Sequence, residues 1–154
     1  MMQKSKFKID WVLLNELAIG RAPKKKEHLE VLKNAGIKSI INLCSQKECE
    51  FIEDSRDFFI IDRYPLPDHR VKKLPHENEI IEILDRLKQL IKQGPVFVHC
   101  MAAMERSPLV CMAWLVREHN LSPQESLDYL MQVHQGTNPL AVQLEILKSP
   151  LLIK

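Results

Sequence analysis

Pro95-Val96-Phe97-Val98-His99-Cys100-Met101-Ala102-Ala103-Met104-Glu105-Arg106-Ser107-Pro108 reads as an apolar strand, a short loop and the opening turn of a helix. The helical pattern then runs from Leu109 to His119. A loop between a strand and a helix N-terminus collects free backbone N–H groups at the positive end of the helix dipole, which makes it an anion site. A cysteine at the start of such a loop has its thiolate stabilised. Loop amides, dipole and a nearby arginine lower a thiol pKa by ~1–5 units. An arginine at the far end grips a phosphate through two parallel hydrogen bonds. Cys100 and Arg106, with five residues between them, therefore suit phosphoryl transfer through sulfur.

The segments on either side predict the frame that holds this loop. Upstream, Glu77 to Gln93 is an amphipathic helix with Ile80, Leu84, Leu87 and Ile91 on one face, stopped by Gly94-Pro95. Ile37 to Cys44 and Phe58 to Tyr64 read as strands, and Ser45 to Arg56 as a charged loop with a short helix. Lys25 to Asn34 reads as a helix ended by Gly36, and Phe7 to Ile19 as one or two short strands with a turn. Tyr64-Pro65-Leu66-Pro67-Asp68-His69 is a loop, because two prolines break regular structure. Downstream, Ser122-Pro123-Gln124-Glu125 opens a helix with a capping box, and Asn138-Pro139 opens a last one through Leu147. Strands alternating with helices predict an α/β three-layer sandwich with a mostly parallel sheet covered on both faces. Ligands bind such sheets beyond the carboxyl ends of strands, where Cys100 falls.

Length and composition set the outer bounds. The 154 residues make one ordinary domain, and 1–154 is expected to be one unit. A net charge of +2 gives no support for nucleic-acid binding. No apolar stretch approaches a membrane span. Lys4, Lys6 and Lys8 before Trp11 to Leu14 faintly resemble a secretory leader, but Asn15 and Glu16 interrupt it, so a cytoplasmic location and no membrane partner are expected. A monomer is expected. Of the four cysteines, Cys44 and Cys111 lie in apolar contexts and read as buried structural thiols. Nothing in the sequence places Cys49 near Cys100. Without a C-x-x-C pair, neither metal nor other cofactor is expected.

Each residue of the loop has a chemical task to fit. Cys100 would attack phosphorus and form a thiophosphate. Arg106 would hold two phosphate oxygens, and the amides of Met101, Ala102, Ala103, Met104 and Glu105 would wrap the rest. Ser107 could donate to the Cys100 sulfur, cap the helix, or both. His99 could fix the loop by donating to nearby carbonyls, a supporting rather than catalytic part. A departing alkoxide needs a proton, and Asp68, shaped by Pro65 and Pro67, is the best acid; Asp62 and Asp57 are rivals. Lys24-Lys25-Lys26 and Lys72-Lys73 read as solvated charges that could also meet an anionic substrate.

His99-Cys100-(five residues)-Arg106-Ser107 resembles the signature of the cysteine-dependent protein tyrosine phosphatase superfamily, and the short chain with its single acid loop resembles the dual-specificity branch. Leu66-Pro67-Asp68 is similar to the Trp-Pro-Asp loop of larger tyrosine phosphatases, with leucine for tryptophan. The resemblance extends from Trp11 and Leu17-Ala18-Ile19-Gly20 to Asn138 and Gln143-Leu144. It implies a central sheet of four or five strands flanked by helices, and metal-free hydrolysis of a phosphorylated protein or a small phosphomonoester. Two positions depart from the pattern. Ala103 stands where the family loop usually has glycine, which permits positive φ; alanine fits if its φ stays negative and otherwise costs activity. Glu105 puts an acid beside an anion site and is expected to point outward, capping or pairing elsewhere. Family members that act on phosphoinositides often carry lysines in this loop, and Met101 to Glu105 has none, so the resemblance implies monophosphates rather than polyphosphorylated lipids. Two other readings stay open. One is a pseudophosphatase that grips a phosphorylated partner, motivated by Ala103 and Glu105. The other is sulfur transfer or arsenate reduction, which would bring Cys49 or Cys111 to Cys100.

Overall fold

Runs of β-branched and aliphatic residues that are buried on both faces become central strands of a sheet. The computed structural model describes residues 6–50, 52–67 and 73–153. In it β1 (Asp10–Leu13), β2 (Leu17–Arg21), β3 (Ser39–Asn42), β4 (Ile60–Arg63) and β5 (Val96–Cys100) form one five-stranded sheet in the order β1-β2-β5-β3-β4. β5 is buried throughout and lies at the centre, parallel to both β2 and β3. β4 is parallel to β3, while β1 joins β2 antiparallel at the edge. The sheet is mostly parallel, as the alternation of strands and helices predicted, and of the four or five strands that the resemblance implied it has five.

Helices cover both faces. α1 (Lys26–Asn34) lays Leu29 and Leu32 against Ala18, Ile40, Phe59 and Phe97. On the other face α2 (Glu77–Ile91), α3 (Arg106–His119) and α4 (Pro123–Val133) enclose Leu17, Ile19, Ile41, Val96 and Val98. α3 is buried all round from Arg106 to Arg117, as a helix must be when neighbours pack on every side. Gly20 lets β2 lie close to the core: a Cβ there would meet the Phe97 ring at 2.9 Å. Gly36 (φ +86) turns the chain out of α1.

The elements expected from the sequence are present, with shorter strands. Ile37 to Cys44 narrows to β3, and Phe58 to Tyr64 narrows to β4. The helix read from Leu109 begins three residues earlier, at Arg106. The last helix is shorter and tighter than expected: α5 (Ala141–Leu144) passes into a 3-10 turn over Glu145–Lys148. Tyr64 to Pro67 is irregular, as the prolines require. Asp68, His69 and Lys72 lie outside the described residues.

Candidate functional site

β5 delivers Cys100 to the carboxyl edge of the sheet, and α3 takes the chain away from Arg106. What the loop between them presents depends on where its carbonyls go. His99 Nδ1 donates to the Cys100 carbonyl at 3.2 Å. The Ala22 amide donates to Met101 O at 3.1 Å, and the Asn138 amide to Met104 O at 2.7 Å. His134 Nε2 donates to Ala103 O at 2.7 Å. In a trans peptide the C=O of one residue and the N–H of the next point in opposite directions. Four carbonyls tied to the surrounding scaffold therefore turn the amides of Met101, Ala102, Met104 and Glu105 to the loop's inner side. No described residue accepts from the amides of Met101, Ala102 or Met104. The result is a nest of donors.

Cys100 and Ser107 meet at the base of this nest, with Sγ and Oγ 3.2 Å apart and both side chains buried. Arg106 is 3% exposed. Its Nη1 and Nη2 donate to the two carboxylate oxygens of Glu48 at 3.0 and 2.8 Å, and Nη1 also reaches the carbonyls of Leu43 and Leu66 at 3.3 and 3.2 Å. The Nε hydrogen has no acceptor among the described residues, although it is buried. Such a donor costs about 1–3 kcal/mol unless something else satisfies it. Arg106 in turn holds the Glu48 carboxyl below the usual carboxylate range, against the opposing effect of burial.

His99 is neutral: burial, opposed by its bond to the Cys100 carbonyl and aided by Arg63 and Arg106, pulls its pKa down to about 4. Its ring stacks against the Phe97 ring, with centroids 5.7 Å apart and planes inclined by 29°.

Ala103 corrects the sequence reading. Its φ is +57, in the left-handed region where glycine is normal, so the negative-φ alternative fails. An L-residue there costs about 1–2 kcal/mol. Glu105 precedes α3 and makes no side-chain cap to it; of the two expectations, capping fails. Asp62, a rival acid, is engaged with Arg86 Nε at 2.6 Å, and Asp57 sits in an exposed 3-10 turn. Cys111 is fully buried, its thiol pushed up by burial and then by Cys100. Cys49 lies beside the Cys44 thiol, which lowers Cys49 to about 7 and is itself raised, and Arg63 adds to the lowering.

No pattern in the sequence singles out Glu48, His134 or Asp10. Glu48 lies in a charged loop among similar residues, and His134 follows α4 with its partner Asp10 at the opposite end of the chain. Only the sheet's closure brings them to the loop.

A central strand ending in a thiol beneath a nest of amides, in a sheet layered on both sides by helices, is the construction of the cysteine-dependent tyrosine phosphatase superfamily. Within it, the chain belongs to the family of the dual specificity phosphatase catalytic domain, whose model matches residues 19–148. Among curated proteins it is 30% identical over 116 residues to dual specificity protein phosphatase 1-B of Xenopus laevis, covering 75% of this chain and 29% of that one. It is also 30% identical over 128 residues to human dual specificity protein phosphatase 7, covering 82% and 29%. The chain thus spans less than a third of the length of these relatives. Among solved structures, the human tyrosine phosphatase-like serine/threonine/tyrosine-interacting protein superposes with a TM-score of 0.81 at 21% identity, covering 93% of this chain and 95% of that one. Tk-PTP in its active form gives 0.80 at 24%, covering 91% and 93%.

Proposed function

We propose that the chain hydrolyses phosphomonoesters, with Cys100 as nucleophile, Arg106 as phosphate ligand and Asp68 as acid and base. The observation that carries this reading is the orphaned, buried Nε of Arg106 at the end of a loop whose carbonyls are all but one tied outward. A phosphate oxygen would satisfy that donor and the loop amides together. In the first step the Cys100 sulfur bonds to phosphorus, the P–O bond to the leaving group breaks, and the leaving oxygen takes the Asp68 proton. In the second, water attacks the thiophosphate, Asp68 takes a proton from it, and the sulfur leaves with Ser107 donating to it at the distance already present.

The substrate class we favour is phosphotyrosine, phosphoserine or phosphothreonine in a protein, or a small monophosphate. Arg21, Lys24 and Lys25 line a groove of about 630 Å³. Arg21 also pairs in register with Cys100, the last residue of β5. This supports an anionic substrate. The alternative, a pseudophosphatase that only binds its phosphorylated partner, draws on the positive φ of Ala103.

Cys100→Ser decides between them when paired with the wild type. The expected result is loss of para-nitrophenyl phosphate turnover with retained binding of inorganic phosphate, and slowing by Asp68→Asn that is greatest for poor leaving groups. Turnover that survives Cys100→Ser would remove the nucleophile assignment. Phosphopeptide binding by the wild type without phosphate release would favour the pseudophosphatase.

A further inference from the structure

Ala103 is the most awkward residue of the loop. Its backbone is left-handed, its side chain is 2% exposed, and no glycine relieves it. Its carbonyl nevertheless points outward, because His134 Nε2 holds it at 2.7 Å. The other ring nitrogen, Nδ1, lies 2.6 Å from Asp10 Oδ2. The carbonyl can only accept, so Nε2 carries a hydrogen and the ring bridges Ala103 O and the Asp10 carboxyl group. His134 directly follows α4. It is 6% exposed, so the bond to Ala103 O has little competition from water.

We infer that His134, oriented by Asp10, is a positioning residue for the loop: it fixes the Ala103–Met104 peptide so that the Met104 amide faces the bound oxyanion. The clamp does for this chain what conformational freedom at a glycine does elsewhere. Released from it, the peptide at Ala103 turns toward negative φ and carries the Met104 N–H away from the phosphate. The inference rests on the proposed phosphate site. It adds a residue from another element and a dependence on what occupies position 103.

Four proteins test it: wild type, His134→Ala, Ala103→Gly, and the double variant. Losing one aligned oxyanion donor costs about 100-fold in kcat when complete, so a partial flip in His134→Ala is expected to lower kcat on para-nitrophenyl phosphate by about 30-fold. In the glycine background the same removal should cost less than about 3-fold, a strong coupling between the two sites. Asp10→Asn should fall between wild type and His134→Ala. A histidine that serves only the stability of α4 would lower the melting temperature equally in both backgrounds and show no such rescue. Equal losses with alanine or glycine at 103, or full activity in His134→Ala, would overturn the inference.

A second readout does not need turnover. In the Cys100→Ser protein, titration with inorganic phosphate should shift the Met104 amide in a ¹H–¹⁵N spectrum. Adding His134→Ala should abolish that shift and weaken binding by about 10-fold or more. Phosphate binding with this His134 dependence, in a protein that never hydrolyses, would sink the hydrolase and keep the clamp. Normal turnover in His134→Ala would do the reverse.

Discussion

Cys49 occupies a place where two effects oppose each other. The neighbouring Cys44 thiol and the Arg63 guanidinium lower its pKa, partial burial raises it, and the balance stands at about 7. Cys44 and Cys111 are both fully buried and both pushed up. In a Cys100→Ser background, Cys49 should therefore be the first of the three alkylated by iodoacetamide. Its rate should climb through pH 7 and flatten above pH 8, because the thiolate is the nucleophile and is nearly fully formed there. Peptide mapping that finds Cys44 or Cys111 labelled first, or a Cys49 rate still rising steeply at pH 9, would contradict the assigned balance. At this scale the sequence was partly legible. Cys100, Ser107 and Arg106 stand out because strand, loop and helix are contiguous, so their spacing carries their geometry. Glu48 and His134 do not, since each owes its position to a contact with a residue far away along the chain. Ala103 was legible as a departure, but the sign of its φ was not, because the fixing bond comes from His134.

α4 shows how far local chemistry alone can place an element. Ser122 Oγ accepts from the Glu125 amide at 3.1 Å, the Glu125 carboxylate accepts from the Ser122 amide at 2.9 Å, and Pro123 needs no N–H in the first turn. These features were readable before any fold was known. Ser122→Ala should cost about 1 kcal/mol in chemical denaturation, and Ser122→Gly only a few tenths. An alanine variant no less stable than the glycine one would mean that tertiary packing, not the cap, sets this boundary. The helix matters beyond its own stability because His134 follows directly, its amide bonded to Leu130 O at 2.8 Å. Boundaries set by packing were harder to read. α3 begins at Arg106, although the sequence pattern begins at Leu109, because the first turn is buried by the site itself. The last helix tightens into a 3-10 turn where periodicity alone suggested a continuous run.

For the molecule as a whole, the buried His99 ties stability to pH. Its folded pKa of about 4 lies below the ordinary 6.5, so the unfolded chain takes up a proton that the folded chain refuses. This contribution is intact above pH 6.5 and is lost as pH falls toward 4. Between pH 7 and pH 5 it amounts to about 2 kcal/mol. His99→Gln should flatten the dependence of the denaturation midpoint over that interval by this amount, whatever it does to the absolute stability. Equal slopes in the two proteins would show that His99 is protonated or hydrated in the fold.

The place of β5 in the sheet carries a different consequence, one for the order of assembly. Its register joins residues as distant along the chain as Leu17 and Val96 on one side and Ser39 and Val96 on the other. Such pairings come late, since a long intervening chain must be closed before they repay its entropy. A ribosome that has released only β1 to β4 has made two unconnected strand pairs and no cradle. The thiol, the guanidinium and the amides between them are threaded through the middle together, so the chemistry should arrive as a single event once β5 and α3 have been made.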